Sequence, residues 1–138
     1  MSRIHVVHDE IQFKHCDPAG IVFFPRFVEM VNDTVEHWFQ HGLGVSFAEL
    51  HMVRRMGIPC AALNCEFKSP GRLGERIIRE LRVQKVGRSS LGMRIEIKSA
   101  ETPHELKMAA DMTVVFVDLD GIRSVEIPAD IRARLEVE

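Results

Sequence analysis

The chain has 138 residues, of which 46% are hydrophobic and 28% are charged, a composition that excludes a disordered protein and fits one compact domain over residues 1–138. Its 18 basic and 20 acidic residues give a formal net charge of −2, so no overall positive charge draws it to nucleic acid or to an anionic membrane. The three cysteines form no CxxC pair, and no signal-like or membrane-length apolar run is present, which predicts a protein of the reducing cytoplasm.

The first predicted element is a strand over residues 4–14, which leads into the segment HCDPAGIVFFPRF at residues 15–27. An ordinary turn would by itself explain Asp17 and Gly20 in this segment. After Pro25 the chain shows apolar side chains at steps of three and four, which predicts an amphipathic helix of roughly four turns. These side chains are Phe27, Met30, Val31, Thr34, Val35, Trp38 and Phe39.

The rest of the chain is predicted to form mainly strands. Ser46 and Glu49 have capping-box spacing and predict a short second helix. Alternating apolar and polar residues then predict four strands, over residues 61–67, 77–83, 91–97 and 106–117. The second and third flank a turn at residues 87–90 and should pair antiparallel. A closing helical turn or two is expected over residues 128–135.

This order of elements predicts an α+β domain in which a mainly antiparallel sheet packs against one long helix. A single helix covers only one face of such a sheet, so the other face needs water or a partner. The pattern therefore favours a homo-oligomer.

Three segments carry a resemblance to a known family. They are Cys16-Asp-Pro-Ala-Gly-Ile-Val22 before the long helix, Phe67-Lys-Ser-Pro-Gly-Arg-Leu-Gly74, and Gly87-Arg-Ser-Ser-Leu91. In type and position they resemble the hotdog-fold acyl-CoA thioesterases of the 4-hydroxybenzoyl-CoA thioesterase family. The resemblance implies a five-stranded sheet wrapped around the long helix, homodimers that join their sheets and often pair again into homotetramers, and active sites at subunit interfaces.

The resemblance also implies that Asp17 is the catalytic carboxylate and that the backbone N–H of Phe24 is the oxyanion donor. The chemistry agrees, because a thioester carbonyl needs a nucleophile or activated water and hydrogen-bond donors for its developing charge. The start of a helix supplies free N–H groups. Gly20 would let the backbone approach the ligand closely, and Phe23 would wall the acyl pocket together with Phe24. Direct attack by Asp17 and general-base activation of water both remain open.

Four further substrate contacts follow from the resemblance. Asn32 matches a helix position that contacts the hydroxyl of the acyl group in the family's bacterial hydroxybenzoyl enzyme. Arg88, Ser89 and Ser90 match a turn that gathers basic and hydroxyl groups for the phosphates and pantetheine of CoA, and an arginine fork suits phosphate. The implied substrate is a small or aromatic acyl-CoA such as 4-hydroxybenzoyl-CoA. CoA is then part of the substrate, and no separate cofactor is expected.

Other functions stay open at this point. The same fold serves an acyl-ACP thioesterase or a longer-chain acyl-CoA thioesterase, and a non-catalytic acyl-CoA binding module would not need Asp17. His37 and His41 lie one helical turn apart, but the HExxH order and a third ligand are missing, so no metal site is expected.

Overall fold

The structure, a computed structural model, describes residues 4–135. Its helices in this range are α1 (Phe24–Trp38) and α2 (Ala129–Leu135). Its strands are β1 (Ile4–Glu10), β2 (Met56–Gly57), β3 (Cys60–Phe67), β4 (Arg76–Val86), β5 (Ser90–Ser99), β6 (Leu106–Val115), β7 (Val117–Asp118) and β8 (Arg123–Ser124). A 3₁₀ turn covers Phe13–His15, and π-helical turns cover Phe39–Leu43 and Glu49–Val53.

Five strands form one antiparallel sheet in the order β1-β4-β5-β6-β3, and β2, β7 and β8 form a small second sheet. The inward side chains of the central strand are completely buried, and they are Leu91, Met93, Ile95 and Ile97. These are the residues whose strict alternation predicted the strand. The predicted antiparallel pairing of β4 with β5 is also confirmed.

Helix α1 packs its apolar stripe on one face of this sheet. All seven residues of the predicted stripe are buried, Phe39 within the π-helical turn that continues the helix. Removing each large apolar side chain from water stabilises the fold by about 1.5–3 kcal/mol. Within residues 4–135 no helix is both long and apolar enough to cross a membrane.

Two predicted strands are shorter than their apolar runs. The first ends at Glu10, because the ladder loses its register there: the carbonyl of Ile11 accepts from the N–H of Gly74 at 2.8 Å, while the N–H of Glu75 turns to the carbonyl of Arg72. The last run breaks at Phe116, whose carbonyl accepts from the N–H of Val125 at 2.9 Å, because the chain passes there from the five-stranded sheet to the small second sheet. Non-local hydrogen bonds therefore set both ends, and the spacing of apolar residues along the sequence does not report such bonds.

Strand β3 is more exposed than the alternation of its apolar and polar residues indicates, since that pattern is typical of a strand with one buried face. Within one chain it is exposed along most of its length, with Leu63 41% and Phe67 47% exposed. It is an edge strand of the five-stranded sheet, and within residues 4–135 it pairs only with β6. The apolar residues of β3 face α1, where Phe67 lies beside Phe27 and Cys65 packs against the core, but one chain covers this face only in part.

Candidate active site

The loop between β1 and α1 folds back on itself around Asp17. Cys16 and Val22 form an antiparallel bridge. The N–H of Asp17 donates to the carbonyl of Ile21 at 3.0 Å, and its carbonyl accepts from the N–H of Gly20 at 2.9 Å. Gly20 has a φ of +78°, which glycine adopts without the Cβ penalty of other residues. The expected turn is present, and it holds the Asp17 backbone in place.

The carboxylate of Asp17 has one oxygen that is bonded and one that is not. Oδ1 accepts from the N–H of Ala19 at 2.9 Å, the local bond of an Asx turn. Among the described residues no other donor reaches this carboxylate. The side chain is half-buried, so Oδ2 is available to a bound molecule while Oδ1 keeps the group oriented.

Helix α1 begins at Phe24, one residue before Pro25. Phe24 is therefore the first helical residue, and its N–H lies ahead of the first intrahelical hydrogen bond. The preceding N–H, that of Phe23, is already used by the carbonyl of His15 at 3.0 Å. Pro25 has no N–H, and the N–H of Arg26 donates to the carbonyl of Phe23 at 2.7 Å, so among the described residues the N–H of Phe24 is the free donor at this helix start. It lies at the positive end of the helix dipole, at the end of the loop that carries Asp17.

Three aromatic rings line the chain beside this helix start. The ring centroids of Phe23 and Phe24 are 5.5 Å apart, and those of Phe24 and Phe67 are 5.9 Å apart. Phe23 is 47% and Phe24 59% exposed, an unusual exposure for grouped apolar side chains. Phe67 was not among the predicted site residues, although the alternation of β3 placed it on the helix-facing side of the strand.

Asn32 lies two helical turns further along α1 and lines a cavity of about 400 Å³. The cavity wall is largely apolar and includes Val35, Phe47 and Val114. His51 adds a polar group that the sequence did not single out, because it lies in a π-helical turn without a periodic pattern. Its Nδ1 bonds to the carbonyl of Phe47 at 2.8 Å, so Nδ1 carries the proton and Nε2 remains for other contacts.

The hairpin of Arg88, Ser89 and Ser90 lies at the opposite end of the sheet from Asp17. Ser90 pairs with Val115 at the end of β6. The Asp17 loop instead bridges to Arg72, beyond the other end of β3. The ten residues of β5 separate these ends by roughly 30 Å at about 3.3 Å per residue. One chain therefore does not bring the predicted CoA-binding residues to the predicted catalytic residues.

The backbone of this hairpin is fixed, whereas Arg88 points outward. The Arg88 carbonyl accepts from the N–H of Ile127 at 2.9 Å and from the Arg132 guanidinium at 3.0 Å. The Arg88 guanidinium lies 3.4 Å from a carboxylate oxygen of Glu126, and both side chains are about two-thirds exposed. An exposed pair of this kind stabilises little, so a phosphate can replace the carboxylate at low cost.

Residues 11–135 match the family model of the thioesterase-like superfamily. The chain belongs to this superfamily. It is 30% identical over 137 residues to the 4-hydroxybenzoyl-CoA thioesterase of Pseudomonas sp. (strain CBS-3), covering 94% of this chain and 96% of that protein. The solved structure of that enzyme superposes with a TM-score of 0.85 at 25% identity, covering 96% of this chain and 99% of that one. A 1,4-dihydroxy-2-naphthoyl-CoA thioesterase from Synechocystis has a TM-score of 0.87 at 20% identity, with 96% of each chain covered.

These likenesses confirm the hotdog fold and the thioester hydrolase activity expected from the sequence. For this thioesterase, the geometry offers a half-buried carboxylate, the free N–H of Phe24 and an aromatic wall at one end of α1. It offers a largely apolar cavity and a basic hairpin at the other end of the sheet. Among residues 4–135 no group of three or more His, Cys, Asp or Glu side chains is arranged to hold a metal ion.

Proposed function

We propose that this thioesterase hydrolyses an acyl-CoA with a small or aromatic acyl group, of which 4-hydroxybenzoyl-CoA is the type, to the free acid and CoA. The observation that carries the proposal is the Asp17 carboxylate, which is fixed through Oδ1 and open at Oδ2, in the loop that ends at the free N–H of Phe24. An acyl-transfer site needs this combination of carboxylate and oxyanion donors. The aromatic acyl groups in the names of the two relatives support the substrate class.

Asp17 has two possible roles in this reaction. In one, Oδ2 attacks the thioester carbonyl, the C–S bond breaks to release CoA as a thiolate, and water then cleaves the mixed anhydride. In the other, the carboxylate takes a proton from the water that attacks the carbonyl. Both roles need a donor for the tetrahedral oxyanion, and we assign the Phe24 N–H to it. Gly20 keeps the loop free of a side chain where the thioester approaches.

We infer that the complete site forms between two copies of the chain joined along β3. The outer edge of β3 has no partner strand among the described residues, and Leu63 and Phe67 are exposed. Such an edge is a template for pairing with another strand. Two copies related by a two-fold axis would pair β3 antiparallel. The Cys60 end of one copy then lies beside the Phe67 end of the other.

This arrangement would bring together what a single chain keeps apart. Cys60 lines the cavity that also contains Asn32 and His51, and Phe67 contacts Phe24. The cavity of one copy would therefore meet the Asp17 loop of its partner and take the acyl group. Its volume of about 400 Å³ is near the lower limit of ligand pockets, which favours a benzoyl-sized group over a long acyl chain.

Thiol release from a panel of acyl-CoAs tests the proposal. The panel is benzoyl-, 4-hydroxybenzoyl-, phenylacetyl-, hexanoyl- and palmitoyl-CoA, with a hexanoyl carrier protein as the alternative thiol. We expect the aromatic CoA esters to have the highest kcat/KM. Asp17→Asn should lower kcat at least about a hundredfold, the usual contribution of a positioned acid or base.

Asp111→Asn is the matched control, because Asp111 pairs with Arg94 at 3.1 Å through an exposed carboxylate remote from the Asp17 loop. This variant should keep wild-type kcat. Full activity of Asp17→Asn would overturn the catalytic assignment. A preference for palmitoyl-CoA or for the carrier-protein ester would instead overturn the substrate class.

A further inference from the structure

A second cavity, of about 300 Å³, lies on the β1 side of α1. Trp38, Leu81 and Leu135 line it with apolar surface and are less than a tenth exposed. His5 and Arg134 line it with polar groups. The cavity is at the C-terminal end of α1, whereas the Asp17 loop precedes its N-terminal end, so it is separate from the proposed acyl site.

Three histidines meet at this cavity. Nε2 of His5 and Nδ1 of His37 share a hydrogen bond of 2.8 Å. The ring of His41, which lines the cavity, lies with its centroid 4.3 Å from that of His37. The sequence pointed to His37 and His41 for their spacing alone. The fold adds His5 from β1 and turns the pair into a cluster.

The surroundings of this cluster are positively charged. Burial is the main reason that the pKa of His5 lies below its usual value, and His37, His41 and Arg79 lower it further. Burial, His41 and Arg79 lower the pKa of His37 in the same way. Asp9 pairs with Arg79 at 3.3 Å.

Arg134 adds a further positive charge at the cavity. Within residues 4–135 it forms no ion pair, and the described lining of the cavity contains no Asp or Glu. No carboxylate of the described lining pairs with the guanidinium or the imidazoles. An anion from solution could therefore bind to them through charge-assisted hydrogen bonds. The apolar part of the cavity wall, which includes Trp38 and Leu81, suits an apolar group on the same ligand.

We propose that this cavity binds a small carboxylic acid with an apolar body, the carboxylate between His5, His41 and Arg134 and the body against Trp38. Inorganic phosphate would satisfy the cations but leave the apolar wall in contact with water, so we expect the organic acid to bind better. A thioester hydrolase releases a carboxylic acid, which belongs to this ligand class whichever acyl group it carries.

Binding should be linked to proton uptake. A bound carboxylate favours the charged imidazole of His5, whereas burial, His37, His41 and Arg79 lower the pKa of His5 in the free protein. The affinity should therefore rise as the pH falls from 8 to 6. The heat of binding should also depend on the ionisation enthalpy of the buffer.

Trp38 is the only tryptophan of the chain and lines the cavity, so its fluorescence reports occupancy without an activity assay. The probe is cyclohexanecarboxylate, which does not absorb at the excitation wavelength, with cyclohexylmethanol as the neutral analogue and inorganic phosphate as the anion without an apolar body. We expect a saturable change with the carboxylate at pH 6. Both comparison ligands should bind at least about tenfold more weakly, the effect of one charge-assisted hydrogen bond.

Variants locate the ligand. Arg134→Gln and His41→Gln should each weaken binding about tenfold, whereas Arg55→Gln, at an exposed arginine that pairs with Asp120, and Asn32→Phe, in the acyl cavity, should leave it unchanged. Far-ultraviolet circular dichroism checks that each variant is folded. Equal affinity for cyclohexylmethanol, loss of the signal in Asn32→Phe alone, or no saturable change at pH 6 would each overturn the proposal. Hydrolysis is measured separately, so failure here leaves the proposed function standing.

Discussion

Two positions around the Asp17 loop require glycine, each for a different physical reason. At Gly20 an added Cβ would meet no atom within 4 Å, and the requirement is its φ of +78°. At Gly71 an added Cβ would lie 2.7 Å from Cδ1 of Ile11 and 3.0 Å from Cζ of Phe27. The carbonyl of Gly71 also accepts from the N–H of Val22 at 2.8 Å. One glycine thus allows a turn, and the other allows the loop to lie close to the core.

Replacing Gly71 with alanine should lower the free energy of unfolding by about 1–3 kcal/mol, the usual cost of overpacking. Gly92→Ala is the control, because its Cβ would lie 3.4 Å from Cβ of Lys85, an ordinary contact, and should change stability by less than about 0.5 kcal/mol. Urea unfolding followed by circular dichroism measures both. Equal stability of the two variants would contradict the close approach at Gly71.

Arg79 is a buried cation whose partners come from two elements. It donates to Oγ1 of Thr34 at 2.8 Å and to the carbonyl of Met30 at 3.3 Å, and it pairs with Asp9 at 3.3 Å. Thr34→Val keeps the shape of the side chain but removes an acceptor from a buried charged donor, which should cost about 1–3 kcal/mol. Thr113→Val, on a half-exposed strand position, should cost much less in the same urea titration.

At the scale of elements, β1 is tied to the last turn of α1 by the bond between His5 and His37. This bond needs one protonated and one bare ring nitrogen, so it is lost when both imidazoles are charged. The lowered pKa of each histidine means that the unfolded chain binds more protons than the folded one below a pH of about 6.5. The contact is therefore most stable in neutral or alkaline solution.

The free energy of unfolding should accordingly fall as the pH is lowered from 8 through 6.5 towards 5. His37→Gln should flatten this dependence, because one of the two depressed groups is removed. His8→Gln is the control, since His8 is an exposed residue of the same strand as His5, and it should leave the slope unchanged. Urea midpoints at pH 8, 6.5 and 5 measure the slopes, and identical slopes for wild type and His37→Gln would rule out this linkage.

At the scale of the whole molecule, the proposed site needs residues from two copies, and mixing two variants can reveal this. In a dimer of Asp17→Asn with Asn32→Phe, one of the two sites would combine an intact Asp17 with an intact acyl cavity. Statistical mixing should then restore about one quarter of wild-type activity from two weakly active variants. Refolding the variants separately and together, followed by the thiol-release assay, tests this. If each chain holds a complete site, mixing would restore nothing.

Much of this organisation could be predicted from the sequence, because it rests on local patterns. The three-to-four spacing of Phe27 to Phe39 and the alternation of Leu91 to Ile97 identified the central helix and the central strand. Each side chain in these patterns is buried simply because of the face it lies on. The turn at Gly20 was also predictable from a local signal, because its residue types alone favour a turn.

What the sequence by itself determined is therefore the elements, the family and the candidate carboxylate at Asp17. Only the tertiary structure decided where β1 ends, that β3 is an open edge, and that Arg88 lies at the far end of the sheet from Asp17. It alone brought His5 to His37 and His51 to Asn32. These pairings join residues distant in the chain through hydrogen bonds and strand register, and no local period carries information about such contacts.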